Sequence, residues 1–260
     1  MWYKIIRKII GEIKWAKMRD YKKLYDLTKE YLLIKGQTLE EIKKENRPIN
    51  VKPKDRKDLF EGLIESAQNY YNMPNIIKYS IRKEEIRKIL HDDNLEWIKE
   101  QDEEELYNVL IKKYNSSKVS NSWHKWTCSV IDSAKFILEY KSLDEFEKFV
   151  KMMDKDIKTR IAMPLIISRK IKGMGFALGC DFLKELGFEN YSKPDVHIKD
   201  IFEKIGWVPD RNEIKVFEEV NKMSEVVNEK AFFIDKVLWV ICKKSKSEFI
   251  EYLKKNLEEK

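Results

Sequence analysis

Helix-breaking residues are rare along the whole chain. Its 260 residues include only eight glycines and six prolines. Between these breaks, apolar side chains recur every three or four positions, which is the spacing of one face of an α-helix. No run of alternating polar and apolar residues indicates a sheet. The sequence therefore predicts an all-α fold, with helices that include 142–152, 211–226, 231–242 and 245–257.

Three apolar stripes are expected to face a core. They consist of Leu59, Leu63, Ile64, Ala67 and Tyr71, of Val130, Ala134, Ile137 and Leu138, and of Trp2, Ile6, Ile9, Ile10 and Ile13. The third stripe is broken by Lys and Arg, so we predict neither a signal-peptide core nor a membrane span there.

The domain organisation is predicted from polar breaks in the chain. The stretch from Glu45 to Asp55 contains prolines, and the stretch from Asn115 to Asn121 is rich in Ser and Asn. Either can be a linker or a surface loop. We expect an N-terminal helical segment over 1–50, packed on a helical core over 51–260 that has two lobes. The acidic run Glu100–Glu105 is typical of a solvated helix end.

Charge and cysteine content limit the classes of partner and compartment. The chain carries 52 basic and 45 acidic residues, a net charge of +7, which weakly favours a polyanionic partner. Its cysteines, Cys128, Cys180 and Cys242, are odd in number and far apart, so they form neither a disulfide framework nor a metal cluster. These features are typical of a protein of the reducing cytoplasm.

A glycine turn between two helices is the most informative segment. Pro164 suits the first turn of a short helix that extends to about Lys170. Gly173 and Gly175 then break it, and a second helix is predicted from Phe176 to Leu186, so that the hairpin occupies about 164–187. Two glycines before a helix leave backbone N–H groups unpaired and uncovered, as the close approach of a phosphate oxygen requires. An ordinary interhelical turn has the same pattern.

A further helix is predicted to open near Asp195. Ser192 can cap it, with Pro194 and Asp195 in its first turn. The pair Ser192 and Asp195 is also typical of a capping box, which is a purely structural role.

Residues 171–198 resemble the helix-hairpin-helix (HhH-GPD) superfamily of base-excision DNA glycosylases. The family's hairpin reads hydrophobic-Pro-Gly-hydrophobic-Gly, followed after one helix by Val-Asp-Thr-His or a close variant. Here the hairpin is Ile-Lys-Gly-Met-Gly from Ile171, and the later element is Pro-Asp-Val-His-Ile from Pro194. The interval from Gly173 to Asp195 agrees with the usual spacing in the family. The likeness is confined to this segment and implies an all-α, multi-helix HhH-GPD-like fold.

This chain departs from the family pattern at three points. Lys172 replaces the common Pro of the hairpin. Ala177 stands where bifunctional members carry their Schiff-base Lys, at the family's interval before the Asp. The four-Cys iron–sulfur motif of some members is absent. The resemblance therefore implies a divergent, monofunctional enzyme with no cofactor and no metal.

The resemblance also implies a function and a set of site residues. The expected protein is a DNA N-glycosylase of base excision repair that acts as a monomer on double-stranded DNA with a damaged or mispaired base, in the cytoplasm at the nucleoid. Asp195 is the expected catalytic residue, activating water beside a flipped nucleotide. The expected contacts to the DNA backbone are Lys172, Gly173 and Gly175.

Several alternatives stay open at this stage. One is a glycosylase/lyase that uses another lysine, with Lys170 and Lys172 nearest in sequence, and another is a non-enzymatic DNA-binding protein. A helical scaffold or RNA-associated protein is a third. His197 is expected to pack or to hydrogen bond at a helix end rather than to contact a phosphate. Trp123 and Trp126 can stack on a flipped base, but core packing is the expected role of at least one of them, and both are left outside the site.

Overall fold

The computed structural model describes residues 19–45, 52–114 and 120–258, which form helices and contain no strand. The all-α prediction is confirmed. In chain order these helices are α1 (Tyr21–Ile34), α2 (Leu39–Glu45), α3 (Arg56–Gln68), α4 (Met73–Ile77), α5 (Tyr79–Ile89), α6 (Leu95–Lys99), α7 (Glu103–Tyr114), α8 (Ser120–Leu138), α9 (Leu143–Met153), α10 (Ile157–Arg160), α11 (Ala162–Lys170), α12 (Phe176–Glu185), α13 (Val196–Lys204), α14 (Glu213–Val227) and α15 (Ala231–Glu258).

Contacts divide the chain into two compact units. The terminal unit combines the described residues of 1–47 with those of 189–260, and the central unit comprises those of 48–188. The hairpin belongs to the central unit and Asp195 to the terminal unit. The division into domains at residue 50 stays a prediction.

The core of the central unit is built around α8. This helix packs against α3, α6 and α7. Trp123 and Trp126 are both fully buried, and the indole N–H of Trp126 donates to the Ile64 carbonyl at 2.8 Å. A buried indole N–H that finds a carbonyl avoids the cost of an unpaired donor. Both tryptophans are therefore part of the core, whereas the sequence favoured this role for at least one of them.

The two described apolar stripes face this core, with one exception. Leu59, Leu63, Ile64 and Ala67 are buried on α3, and Val130, Ala134 and Ile137 are buried on α8. The prediction for Tyr71 is wrong, because its side chain is 93% exposed. Helix α3 ends at Gln68, and Tyr71 follows in a left-handed conformation with φ 49°, which takes it off the helix face.

Helices α1, α13, α14 and α15 enclose the core of the terminal unit. Its buried side chains include Leu24, Leu32, Ile198, Ile201, Phe202, Val216, Val220, Ile234, Leu238 and Phe249. Helix α15 is interrupted at Ser245, whose backbone is not helical (φ −151°, ψ 39°). This break lies where the sequence predicted one helix to end and another to begin.

Some sequence predictions fall wholly or partly outside the described residues. They are the stripe from Trp2 to Ile13 and most of the two polar breaks, at 46–51 and 115–119. The acidic run does end at a helix, since Glu103, Glu104 and Glu105 form the first turn of α7. No described helix has the length and apolar content needed to cross a membrane.

Candidate DNA-binding hairpin and catalytic carboxylate

The predicted hairpin is confirmed by α11, a tight turn and α12. Helix α11 ends at Lys170, and the Met174 N–H closes the turn on the Ile171 carbonyl at 3.2 Å. Gly173 has φ +82°, a backbone conformation that side chains with a Cβ rarely adopt. Gly175 is the N-cap of α12, with an extended backbone.

The two helices of the hairpin approach each other closely at Gly179. A Cβ at this position would lie 3.1 Å from both the Cα and the carbonyl oxygen of Pro164. Backbone atoms of a helix cannot move aside independently, so a side chain here forces the helices apart. Gly179 therefore sets the distance between α11 and α12.

Side chains of helix α8 hydrogen bond to the backbone of the turn. The Ser129 hydroxyl lies 2.6 Å from the Lys172 carbonyl oxygen and 3.0 Å from the Lys125 carbonyl oxygen. The Lys172 N–H donates to the Asp132 carboxylate at 3.0 Å. A Cβ on Gly173 would come within 2.9 Å of the Ser129 hydroxyl. The turn is thus fixed by side chains of a helix that lies much earlier in the chain.

Backbone N–H groups at the start of α12 are unpaired, as the glycine pattern predicted. No side chain of the described residues caps α12. The Gly173, Gly175 and Ala177 N–H groups donate to no acceptor within 19–45, 52–114 or 120–258. Three unpaired donors near the N-terminus of a ten-residue helix form a favourable environment for an anion.

The two lysines beside the turn are engaged in ion pairs. Lys170 contacts Glu139 at 2.7 Å, and Lys172 contacts Glu103. A hydrogen bond from Lys172 to Glu103 raises the pKa of Lys172, and the same hydrogen bond lowers the pKa of Glu103. Lys172 remains 62% exposed, although its ammonium group already has an anionic partner.

Asp195 caps a helix with one of its two carboxylate oxygens. Oδ1 accepts from the His197 N–H at 2.8 Å and from the Ile198 N–H at 3.1 Å. Oδ2 accepts no hydrogen bond from the described residues, and the side chain is partly exposed. The carboxylate is therefore held in one orientation while one oxygen stays open to a ligand or a water molecule.

The predicted capping by Ser192 is wrong. Asp195 itself is the N-cap of α13, with φ −75° and ψ −177°, and neither it nor Pro194 lies in the first turn. The Lys193 N–H donates to Asp235 of α15 at 2.8 Å, which holds the preceding segment in a non-helical conformation. Ser192 is buried before the helix begins. The helix therefore starts only at Val196.

The surroundings of Asp195 include a thiol. Burial, together with the Asp195 charge, raises the pKa of Cys242 to about 12, so this thiol stays protonated at neutral pH. On the next turns of α13, Asp200 pairs with Lys246 at 2.6 Å and with Arg211 at 2.8 Å. Asp200 is thus neutralised, whereas Asp195 makes no ion pair with any described residue.

The imidazole ring of His197 is partly buried. Its Nδ1 is buried and has no hydrogen-bond partner among the described residues. Its backbone N–H serves the Asp195 cap. Its expected packing role stays a prediction.

Within the described ranges, no group of three or more His, Cys, Asp or Glu side chains is arranged so that it could hold a metal ion. Cys128, Cys180 and Cys242 are buried, and no disulfide joins any two of them.

Sequence reasoning missed two residues beside the hairpin, Tyr70 and Lys125. Both line a cleft that also contains Gly173 and Gly175. Neither belongs to a recognisable motif, and both are far from the turn along the chain. No local signal could have placed them there.

No protein-family model and no curated protein matches this chain. Among solved structures, it is similar to the 8-oxoguanine glycosylase/lyase of Methanocaldococcus jannaschii in complex with a 15-mer DNA containing 8-oxoguanine. The identity is 18%, the TM-score is 0.54, and the match covers 83% of this chain and 95% of that one. The chain therefore shares the all-helical fold of that glycosylase/lyase, and the multi-helix fold predicted from the sequence is confirmed.

Proposed function

We propose that this protein is a monofunctional DNA glycosylase of base excision repair. In this proposal the hairpin binds the backbone of duplex DNA through the Gly173 and Gly175 N–H groups, with a contribution from Lys172. Asp195 orients or deprotonates a water molecule that attacks the sugar of a flipped nucleotide, and its charge stabilises the cation that forms as the base leaves.

The geometry of the Asp195 carboxylate carries the proposal. The carboxylate lies at the positive end of the helix dipole and accepts hydrogen bonds from two backbone N–H groups. Because Oδ1 accepts both of these hydrogen bonds, Oδ2 can accept a hydrogen bond from a water molecule while the helix cap stays intact. The likeness of the fold to a glycosylase/lyase, and the spacing from Gly173, support a role in base removal.

The test is Asp195→Asn, which keeps the cap because Asn and Asp are about equally good N-cap residues. We expect single-turnover base release to fall by about 10²-fold or more, and duplex binding to remain within a few-fold of wild type. The substrates are duplexes with 8-oxoguanine, an alkylated purine, uracil or mismatched thymine. Unchanged turnover in the variant contradicts the proposed role of Asp195.

Asp156→Asn is the matched control. Asp156 caps α10 through Oδ1, with the Lys158 and Thr159 N–H groups at 2.8 and 3.1 Å, the same distances as at Asp195. The chemical change is therefore the same at a cap with no proposed catalytic role, and base release should be unaffected. If wild type binds duplex DNA and releases none of the four bases, a non-enzymatic binding protein is favoured instead.

A second candidate is a bifunctional glycosylase/lyase, because the M. jannaschii protein is described as both. A Schiff base needs a neutral amine. The hydrogen bond to Glu103 raises the pKa of Lys172, which favours the charged form of that amine, and the Lys170 amine is engaged in an ion pair with Glu139. We therefore expect no covalent adduct when borohydride is added to a reaction in progress, and a trapped protein–DNA adduct would establish the lyase.

A further inference from the structure

A cleft of about 330 Å³ opens beside the hairpin turn within the central unit. Three elements supply its lining: the loop after α3 with the start of α4, helix α8 and the turn itself. The lining residues are Tyr70, Met73, Lys125, Gly173, Met174 and Gly175. The cleft thus combines an aromatic ring and a lysine with the backbone of the turn.

Lys125 is the lysine of this cleft, and its charge is not neutralised by a described carboxylate. Its Nζ lies 5.4 Å from the centroid of the Tyr70 ring, within cation–π range. It makes no ion pair with a carboxylate among the described residues, whereas Lys170 and Lys172 are both paired. An incoming phosphate therefore meets an ammonium without an ion-pair partner among the described residues at Lys125, whereas the ammonium of Lys172 already has Glu103 as an anionic partner.

Neither backbone strain nor packing requires a glycine at position 175, although glycine is a favourable N-cap for α12. Its φ of −86° is accessible to any residue, and a Cβ there would meet no described atom within 4 Å. Glycine at such a position costs chain entropy without a compensating contact. The space that it leaves lies on the same cleft as the ammonium of Lys125.

We propose that this cleft binds a backbone phosphate of duplex DNA through Lys125, with the Tyr70 ring positioning the ammonium. Lys125, and not Lys172, is then the principal phosphate-binding lysine of the hairpin region. This inference rests on the proposed function and goes beyond it, since it assigns a binding residue and its ligand.

The salt dependence of DNA binding tests the assignment. Each phosphate contact adds about 0.9 to the slope of log affinity against log salt concentration. We expect Lys125→Gln to reduce that slope by about one and to weaken binding of an undamaged duplex roughly tenfold near 0.1 M salt. Fluorescence anisotropy of a labelled duplex over a series of salt concentrations measures both quantities.

Two comparisons make the result specific. Lys135→Gln removes an exposed lysine from the same helix and should leave the slope unchanged, and Lys172→Gln should change it less than Lys125→Gln. Tyr70→Phe keeps the ring face and should bind as wild type does, whereas Tyr70→Ala should weaken binding. Inorganic phosphate at constant ionic strength should not displace the duplex, and displacement at low millimolar concentration overturns a DNA-backbone site.

The proposed function and the assignment of Lys125 can be tested separately. If wild type neither binds duplex DNA nor releases a base, the proposed function fails. If wild type binds and releases a base but Lys125→Gln has the salt slope of Lys135→Gln, only this inference fails. A larger loss of slope in Lys172→Gln than in Lys125→Gln also overturns it.

Discussion

The two glycines of the turn differ in what requires them. Gly173 has a positive φ and abuts the Ser129 hydroxyl, so the fold itself needs a glycine there. Gly175 has an ordinary φ and open space around its Cα. The fold therefore requires a glycine at position 173, whereas Gly175 serves as the N-cap of α12 and leaves room for the proposed ligand.

This difference gives a prediction at the residue scale. Gly173→Ala should lower the free energy of unfolding by about 1–2 kcal/mol, because the left-handed conformation is costly for residues with a Cβ. Gly175→Ala should be nearly neutral in stability, since a slightly poorer N-cap is offset by a less flexible unfolded chain. Urea unfolding measures both variants.

The affinity for duplex DNA gives a second prediction for Gly175→Ala. Gly175→Ala places a methyl group where the phosphate approaches the backbone N–H groups, so its affinity should fall by about tenfold, the effect of one lost charge-assisted hydrogen bond. A Gly175→Ala variant that folds and binds DNA as wild type does would show that the phosphate does not approach at this position.

At the scale of elements, the hairpin is a pair of helices in unusually close contact. Gly179 lies against the backbone of Pro164, whereas Gly62 of α3 lies against the edge of the Phe182 ring, where an added Cβ would be 3.3 Å from the nearest ring atom. A ring can shift by a few tenths of an ångström more easily than a helix backbone can. The same substitution should therefore have different consequences at the two positions.

We predict that Gly179→Ala destabilises the protein by about 1–3 kcal/mol through overpacking, despite a gain in helix propensity of about 1 kcal/mol. Gly62→Ala, which has the same propensity gain, should cost less or be neutral. Thermal unfolding of the two variants provides the comparison. Equal melting temperatures would show that the α11–α12 spacing is not set by Gly179.

At the scale of the whole molecule, one buried carboxylate ties stability to pH. Asp93 is 1% exposed, and burial, followed by the Glu61 charge, raises its pKa from 3.8 to about 6, although Arg87 Nε lies 2.9 Å from its Oδ2 and opposes the shift. Because the folded-state pKa exceeds the unfolded one, the folded protein binds the proton more tightly between pH 4 and 6. The contribution of this proton to the free energy of unfolding is fully present below pH 4 and is lost as the pH rises through 6.

We therefore expect the free energy of unfolding of wild type, relative to that of Asp93→Asn, to rise by on the order of 1 kcal/mol when the pH falls from 7 to 5. Asn tolerates the left-handed conformation that Asp93 adopts, with φ 55°. Asp92→Asn is the control, because Asp92 has the same φ but is exposed. Unfolding free energies at the two pH values measure the effect, and equal pH responses in the two variants would contradict it.

The sequence by itself determined the all-α class, the hairpin and the position of Asp195 at the start of a helix. These features depend on apolar spacing and on glycine and proline, whose effects reach only about one helical turn along the chain. Their signal is therefore present in any short window. The interval between Gly173 and Asp195 is likewise a property of the sequence alone.

Only the tertiary structure decided which side chains and backbone groups near these features are engaged in ion pairs or hydrogen bonds. Glu103 neutralises Lys172 from 69 residues away, and Ser129 supports the turn from 43 residues away. Asp235 delays the start of α13, so that Asp195 and not Ser192 becomes the cap. Ion pairs and buried hydrogen bonds join residues that are distant along the chain, and no local pattern encodes which of them meet.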